Sequence, residues 1–166
     1  MTEPIQGFRG EHRWLSNFWP CTVRVSGVEY PSAEHAYVAM KTEEGETRRA
    51  VAELPTAAKA KALGRRKTFP LREDWEAVRL GAMYVVVQSK FFQNPELAEL
   101  LRSTGDADLL EENSWGDRFW GVSGAGGENW LGVILAAVRD ELRTRLSFES
   151  AVQAALSVYV ESRKKT

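Results

Sequence analysis

The feature that most constrains this chain is an ordering of periods. Strand-like alternation is confined to the first thirty or so residues, and helical spacing dominates thereafter. The cleanest helical stripe is Leu131, Ile134, Leu135, Val138, Leu142 and Leu146, an apolar face that must find a partner surface and is expected to anchor the core. Before it, Thr22–Val25 alternates, Ser26-Gly27 punctuates and Val28–Tyr30 resumes, which predicts a two-residue hairpin. Pro31-Ser32 ends that strand and opens a helix carrying Ala33, Ala36, Tyr37 and Met40 through Lys41. Short helices follow at about 46–53 and 56–63, the second closed by Gly64. A stronger one runs from Asp74 to Gln88 on Trp75, Val78, Ala82, Val85 and Val86, and another starts at Asn94-Pro95 and runs out at Thr104-Gly105. A final helix, about 148–163, carries Phe148, Val152, Ala155, Leu156 and Tyr159 before a solvated tail from Arg163 to Lys165. Strands first and helices after, without βαβ alternation, predict an α+β fold, mostly helical, with a small, mainly antiparallel sheet near the N-terminus.

Length and charge narrow the partners. A chain of 166 residues buries roughly two thirds of its surface on folding, so a single domain over residues 1–166 is expected, with no repeat or linker. Its 22 basic and 23 acidic side chains leave a formal charge of -1, which argues against a nucleic-acid binder held by bulk charge and leaves room for small charged ligands. The basic run from Lys59 to Lys67 keeps a local patch for nucleic acid open, beside its reading as a solvated helix face. One cysteine, Cys21, permits no internal disulfide and no thiolate cluster, and the start MTEPIQGF has neither a basic n-region nor an apolar run. A cytoplasmic protein is expected, with no membrane role, no cofactor and no obligate protein partner. His35 and His12 lie too far apart in motif terms to support a metal site, and His35 reads as a packed or surface histidine.

Two stretches carry a resemblance: LSNFWP (15–20) with PSAEHAYVAMK (31–41), and E-x-S-x-x-D-x-x-W-G (112–121) running through a glycine-rich loop to ENWLG (128–132). With REDW (72–75), KFFQN (90–94) and LAELLRSTGDADLLE (97–111) between them, the chain from about Phe8 to Leu146 resembles the NADAR, or YbiA-like, family. The resemblance implies an N-glycosidase that cuts between a ribose phosphate and an amino group outside a heterocycle. Two substrate branches go with it: ribosylaminopyrimidine or ribosylaminouracil phosphates of riboflavin synthesis, and ADP-ribosylated guanine in nucleic acid. The near-zero charge favours the small metabolite. A module that binds ADP-ribose or a related nucleotide without cutting it is the alternative from another class.

The residues suit that chemistry. Glu34 falls in the first turn of its helix and Lys41 seven positions later, on about one face. A carboxylate there serves as a base or stabilises positive charge at C1, although an acid in a first turn also suits the helix dipole. Lys41 is read as a phosphate contact or as a Schiff-base nucleophile, with a solvated helix end as the plain alternative. Lys90 shares the phosphate and Schiff-base readings, against that of a lysine stabilised at a helix C-terminus. Asp117, between Trp115 and Trp120, is expected to be poorly solvated and to donate a proton to the leaving nitrogen, while aspartate is equally a turn former. Trp75 either stacks on the heterocycle or packs in the core. Gly121, Gly124, Gly126 and Gly127 allow close backbone approach, either docking a 5'-phosphate at the following helix or shaping the wall, with Asn129 capping that helix or touching ligand. Asn17 is assigned to a ribose hydroxyl, Arg9 to phosphate, and Phe18 to the interior.

Overall fold

The computed structural model describes the backbone of residues 3–164 and the side-chain surroundings of residues 3–157 apart from Ala155. Strands β2 (Pro20–Val25) and β3 (Val28–Ser32) form the antiparallel hairpin that the alternation predicts. Val25 pairs with Val28, and the turn residues Ser26 and Gly27 have φ of 51° and 77°, the positive values a two-residue primed turn needs. Ser32 then serves twice. It pairs with Pro20 in the ladder, and its Oγ caps the following helix by accepting from the His35 N–H.

That helix, α1 (Ala33–Ala39), is buried along its whole length. It lies among β2, β3, α2 (Gly45–Ala52), α3 (Ala57–Leu63) and α4 (Trp75–Gln93). A helix enclosed on every side is normally apolar all round. Here it carries Glu34 and His35, so each must have a reason. His35 is the packed histidine: its ring nitrogens meet Ser32 Oγ at 2.7 Å and Leu54 O at 3.0 Å, and burial lowers its proton affinity. Glu34 has a different destination, described below.

Helix α4 is the spine, contacting β2, α1, α5 (Pro95–Ser103) and α6 (Trp130–Lys164). It continues one turn past the expected end at Gln88, because Ser89 to Gln93 contain no breaker before Asn94-Pro95. The buried apolar side chains form one cluster, with Leu15, Phe91, Leu101 and Leu135 wholly inside.

The sequence reading needs three corrections here. The stripe ending at Leu146 and the helix expected at 148–163 are one continuous helix, since no glycine or proline interrupts Leu146 to Phe148 and Arg145 pairs with Glu149 across the supposed gap at 2.8 Å. Leu146 belongs to no core, and with Phe148, Val152 and Leu156 it lies exposed on the helix beyond the domain. The placements expected for Ala155, Tyr159 and the tail from Arg163 to Lys165 fall outside the described side chains. Finally, Phe18 is 36% exposed, not interior.

Two elements were not foreseen. β1 (Ile5–Gln6) pairs in parallel with β4 (Leu109–Leu110), and a 3-10 helix spans Gly10–Leu15. Both are too short for periodicity to reveal. Among the described residues no helix is long and apolar enough to cross a membrane.

Candidate active site

Glu34, Lys41, Asn17, Trp75, Trp115, Asp117, Trp120 and Arg9 all line one cleft of about 880 Å³, although they come from five separate parts of the chain. The two acids expected to converge, 34 and 117, do share this space. Its floor is α1. The Glu34 N–H donates to Asn17 O at 2.9 Å, which ties the helix start to the LSNF segment. Burial raises the proton affinity of the Glu34 carboxyl, against the opposing pull of Lys61, Lys41 and Arg65.

Lys41 lies just past the end of α1, whose last residue is Ala39, so it reaches the cleft from a turn and not from the helix face that spacing suggested. Its Nζ sits 5.6 Å from the Tyr37 ring centroid and 5.7 Å from that of Trp75, with Gly64 O at 3.4 Å. Burial lowers its proton affinity, Glu34 opposes that, and Arg65 and Lys61 reinforce it. Trp75 is buried against Tyr37 (centroids 5.2 Å apart) and also lines the cleft. Trp120 meets Tyr37 in an edge-on arrangement at 5.6 Å. Trp115 is 62% exposed at the rim, near Lys61, whose Nζ also approaches Phe18 at 5.4 Å. The basic run thus turns Lys61 and Arg65 into the cleft, beside Arg9, Arg13 and Arg79. Arg9 reaches Glu112 at 3.4 Å in an exposed pair that contributes little stability and leaves it available to an anion.

Asp117 is held as a turn former. Its Oδ1 accepts from the N–H groups of Phe119 (3.1 Å) and Trp120 (2.9 Å), and its backbone exchanges hydrogen bonds with the Asn113 amide. This fixes the backbone of Phe119 and Trp120, and Trp120 lines the cleft. A second acid whose proton affinity burial raises is one that sequence reasoning missed. Glu111 lines the same cleft, its Oε2 is buried without a hydrogen-bond partner, and burial raises it to about 7, with Asp117 adding to the effect and Lys61 and Arg9 opposing it. Only its position inside the matched stretch LAELLRSTGDADLLE could have drawn attention to it.

Three expected ligand contacts lie elsewhere. Lys90 is fully buried, and its Nζ donates to Trp14 O (2.7 Å), Leu15 O (3.4 Å) and Ser16 O (2.9 Å), fastening the 3-10 helix and the start of the LSNF segment to α4. Burial lowers it to about 8, so it still carries its proton at neutral pH, where three carbonyls suit three N–H bonds. Asn129 does not line the cleft, and its side chain is engaged by backbone: with φ 54° its amide donates to Leu109 O at 2.8 Å and accepts from the Glu111 N–H at 3.0 Å. Gly121 is buried because a Cβ there would strike Glu111 O, and one on Gly127 would strike Gly121 O. Gly121 and Gly127 therefore allow backbone to pack on backbone, whereas a Cβ on Gly124 would meet open space, and none of the four loop glycines lines the cleft.

Known proteins give this geometry a context. The sequence model of the NADAR domain matches residues 7–143. A riboflavin biosynthesis protein of Vibrio vulnificus is 41% identical over 146 residues, 86% of this chain, which spans only 40% of that longer relative. The N-glycosidase YbiA of Escherichia coli is 34% identical, with 77% of this chain and 80% of the relative aligned. An N-glycosidase of Nostoc punctiforme is 38% identical, over 80% and 87%. The solution structure of E. coli YbiA superposes with a TM-score of 0.74 at 29% identity, covering 87% of this chain and 90% of that one.

Proposed function

Because this chain belongs to the NADAR family, we propose that it is an N-glycosidase hydrolysing the bond between C1 of a ribose phosphate and an amino group outside a pyrimidine-like ring. The substrates are ribosylaminopyrimidine or ribosylaminouracil 5'-phosphates on the route to riboflavin. The observation carrying this reading is the meeting of three acids, Glu34, Glu111 and Asp117, with five cationic side chains besides Lys41 in one aromatic-walled cleft. The riboflavin name of the Vibrio relative supports the choice of substrate.

In this reaction the C1–N bond breaks with its electron pair going to nitrogen, a water oxygen bonds to C1, and nitrogen gains a proton. The products are ribose 5-phosphate and the free amine. Glu34 faces the positive charge that builds at C1 and accepts the proton of the attacking water. Burial raises its proton affinity, and Lys61, Lys41 and Arg65 oppose that rise. Lys61, Arg65 and Arg9, which all line the cleft, serve the phosphate. Tyr37, Trp75 and Trp120 provide the faces and edges for a planar base. Asp117 holds the turn that presents Trp120 and adds negative charge to the wall.

The test is incubation with ribosylaminouracil 5'-phosphate, and separately with ADP-ribosylated guanine in DNA, following free amine by mass spectrometry. Time-dependent release from the first is expected. Saturable binding without product would make this a binding module, and no interaction with either would overturn the reading. Borohydride added during turnover checks Lys41: water attack leaves the chain mass unchanged, whereas a ribosyl adduct would make Lys41 the nucleophile.

A further inference from the structure

Much of the segment from 109 to 132 is devoted to holding one residue. The Asn129 side chain clamps both sides of the β4 exit, through Leu109 O and the Glu111 N–H. The Val122 N–H donates to Glu111 O at 2.9 Å, and the Asn113 N–H to Val122 O at 2.9 Å. Gly121 and Gly132 are side-chain-free where a Cβ would strike Glu111 O and Leu109 O. Asn129 adopts a left-handed backbone, uncommon for a non-glycine residue, to make its clamp. A backbone held this closely fixes where its side chain can go. That side chain enters the cleft shared with Glu34, and its Oε2 is buried with no protein partner. A buried acceptor left unpaired costs free energy unless it is protonated or meets a ligand.

We propose that Glu111 is the proton donor to the leaving nitrogen, a catalytic residue distinct from Glu34 and Asp117. The assignment rests on the N-glycosidase reading above. The Glu111 carboxyl gives its proton to the exocyclic nitrogen as the C1–N electron pair moves onto that atom. Water adds to C1 and loses a proton to Glu34, and exchange with solvent takes that proton from Glu34 and returns one to Glu111 for the next cycle. The charged groups facing Glu111 are Lys61 from α3, Arg9 from the N-terminal segment and Asp117 from the loop. Asp117 and burial hold the proton on, and a value of about 7 leaves a donor well populated at neutral pH. This also gives Asp117 a function while its Oδ1 is occupied by backbone N–H groups.

The experiment compares wild type with Glu111→Gln on the N-(5-phosphoribosyl) derivatives of aniline and 4-nitroaniline, after subtraction of spontaneous hydrolysis, with kcat/KM measured from pH 5 to 9. Wild-type kcat/KM should fall above about pH 7, where the donor loses its proton. The variant should lose that limb, drop about 10²–10⁴-fold on the aniline riboside, and drop by less than about tenfold on the nitroaniline riboside, whose nitrogen departs with less help. Equal losses on both substrates, or a retained basic limb, would overturn the assignment and leave Glu34 and the N-glycosidase reading standing. A wild type that releases neither amine would instead bring down the reading and the assignment together.

Discussion

Replacing Glu111 by Gln should make the protein more stable at pH 8 and leave it nearly unchanged at pH 4. An ordinary glutamate releases its proton near 4.5, whereas in the folded chain burial holds this one to about 7. Between those values the folded state binds more protons than the unfolded one, so stability falls as pH rises, and the full cost is present above about pH 7. At about 1.4 kcal/mol per tenfold change in proton affinity, the upper bound is about 3 kcal/mol. Glu111 is only half-buried, and solvent screening reduces this to about 1–2 kcal/mol. Glutamine keeps the shape and never carries the charge, so it removes the cost. For a chain of this size each kcal/mol moves Tm by about 2–4 °C. Thermal unfolding followed by circular dichroism should therefore show Glu111→Gln melting about 2–8 °C above wild type at pH 8, with the gap closing toward pH 4. A difference of the same size at both pH values, or a variant less stable at pH 8, would show that this carboxyl is not held protonated by its surroundings.

Glu34→Gln should keep the fold and bind substrate while losing most turnover, because the isosteric amide cannot take a proton from water; single-turnover assays beside ligand titration check this, and intact turnover would remove Glu34 from the mechanism. Lys90→Met should destabilise by about 1–3 kcal/mol, since it strands the carbonyls of Trp14 and Ser16 inside the protein; urea unfolding measures it, and an unchanged midpoint would refute the structural role. Gly121→Ala should cost about 1–3 kcal/mol, because its Cβ would strike Glu111 O and push the β4 exit away. If that variant unfolds like wild type, the glycine serves something other than close packing.

The hairpin at Ser26-Gly27, the cap at Ser32 and the stop at Gly64 were legible in the sequence because each depends on residues within a few positions of one another. Motif matching likewise brought Glu34, Trp75, Asp117 and Trp120 together without showing what holds them there. It did not reveal that Lys90 belongs to the scaffold. A lysine near the end of a helix looks solvated until another segment lays Trp14 O and Ser16 O over it.

Sequence by itself determined where most helices and the hairpin begin and end, since hydrophobic period and turn chemistry are properties of neighbouring residues. Tertiary structure alone decided which ionisable groups lose their water, and so which carboxyl keeps a proton near neutrality and which lysine becomes a strut. Desolvation depends on segments remote in the chain: the glycine loop and Asn129 that fix Glu111, and the 3-10 helix that encloses Lys90.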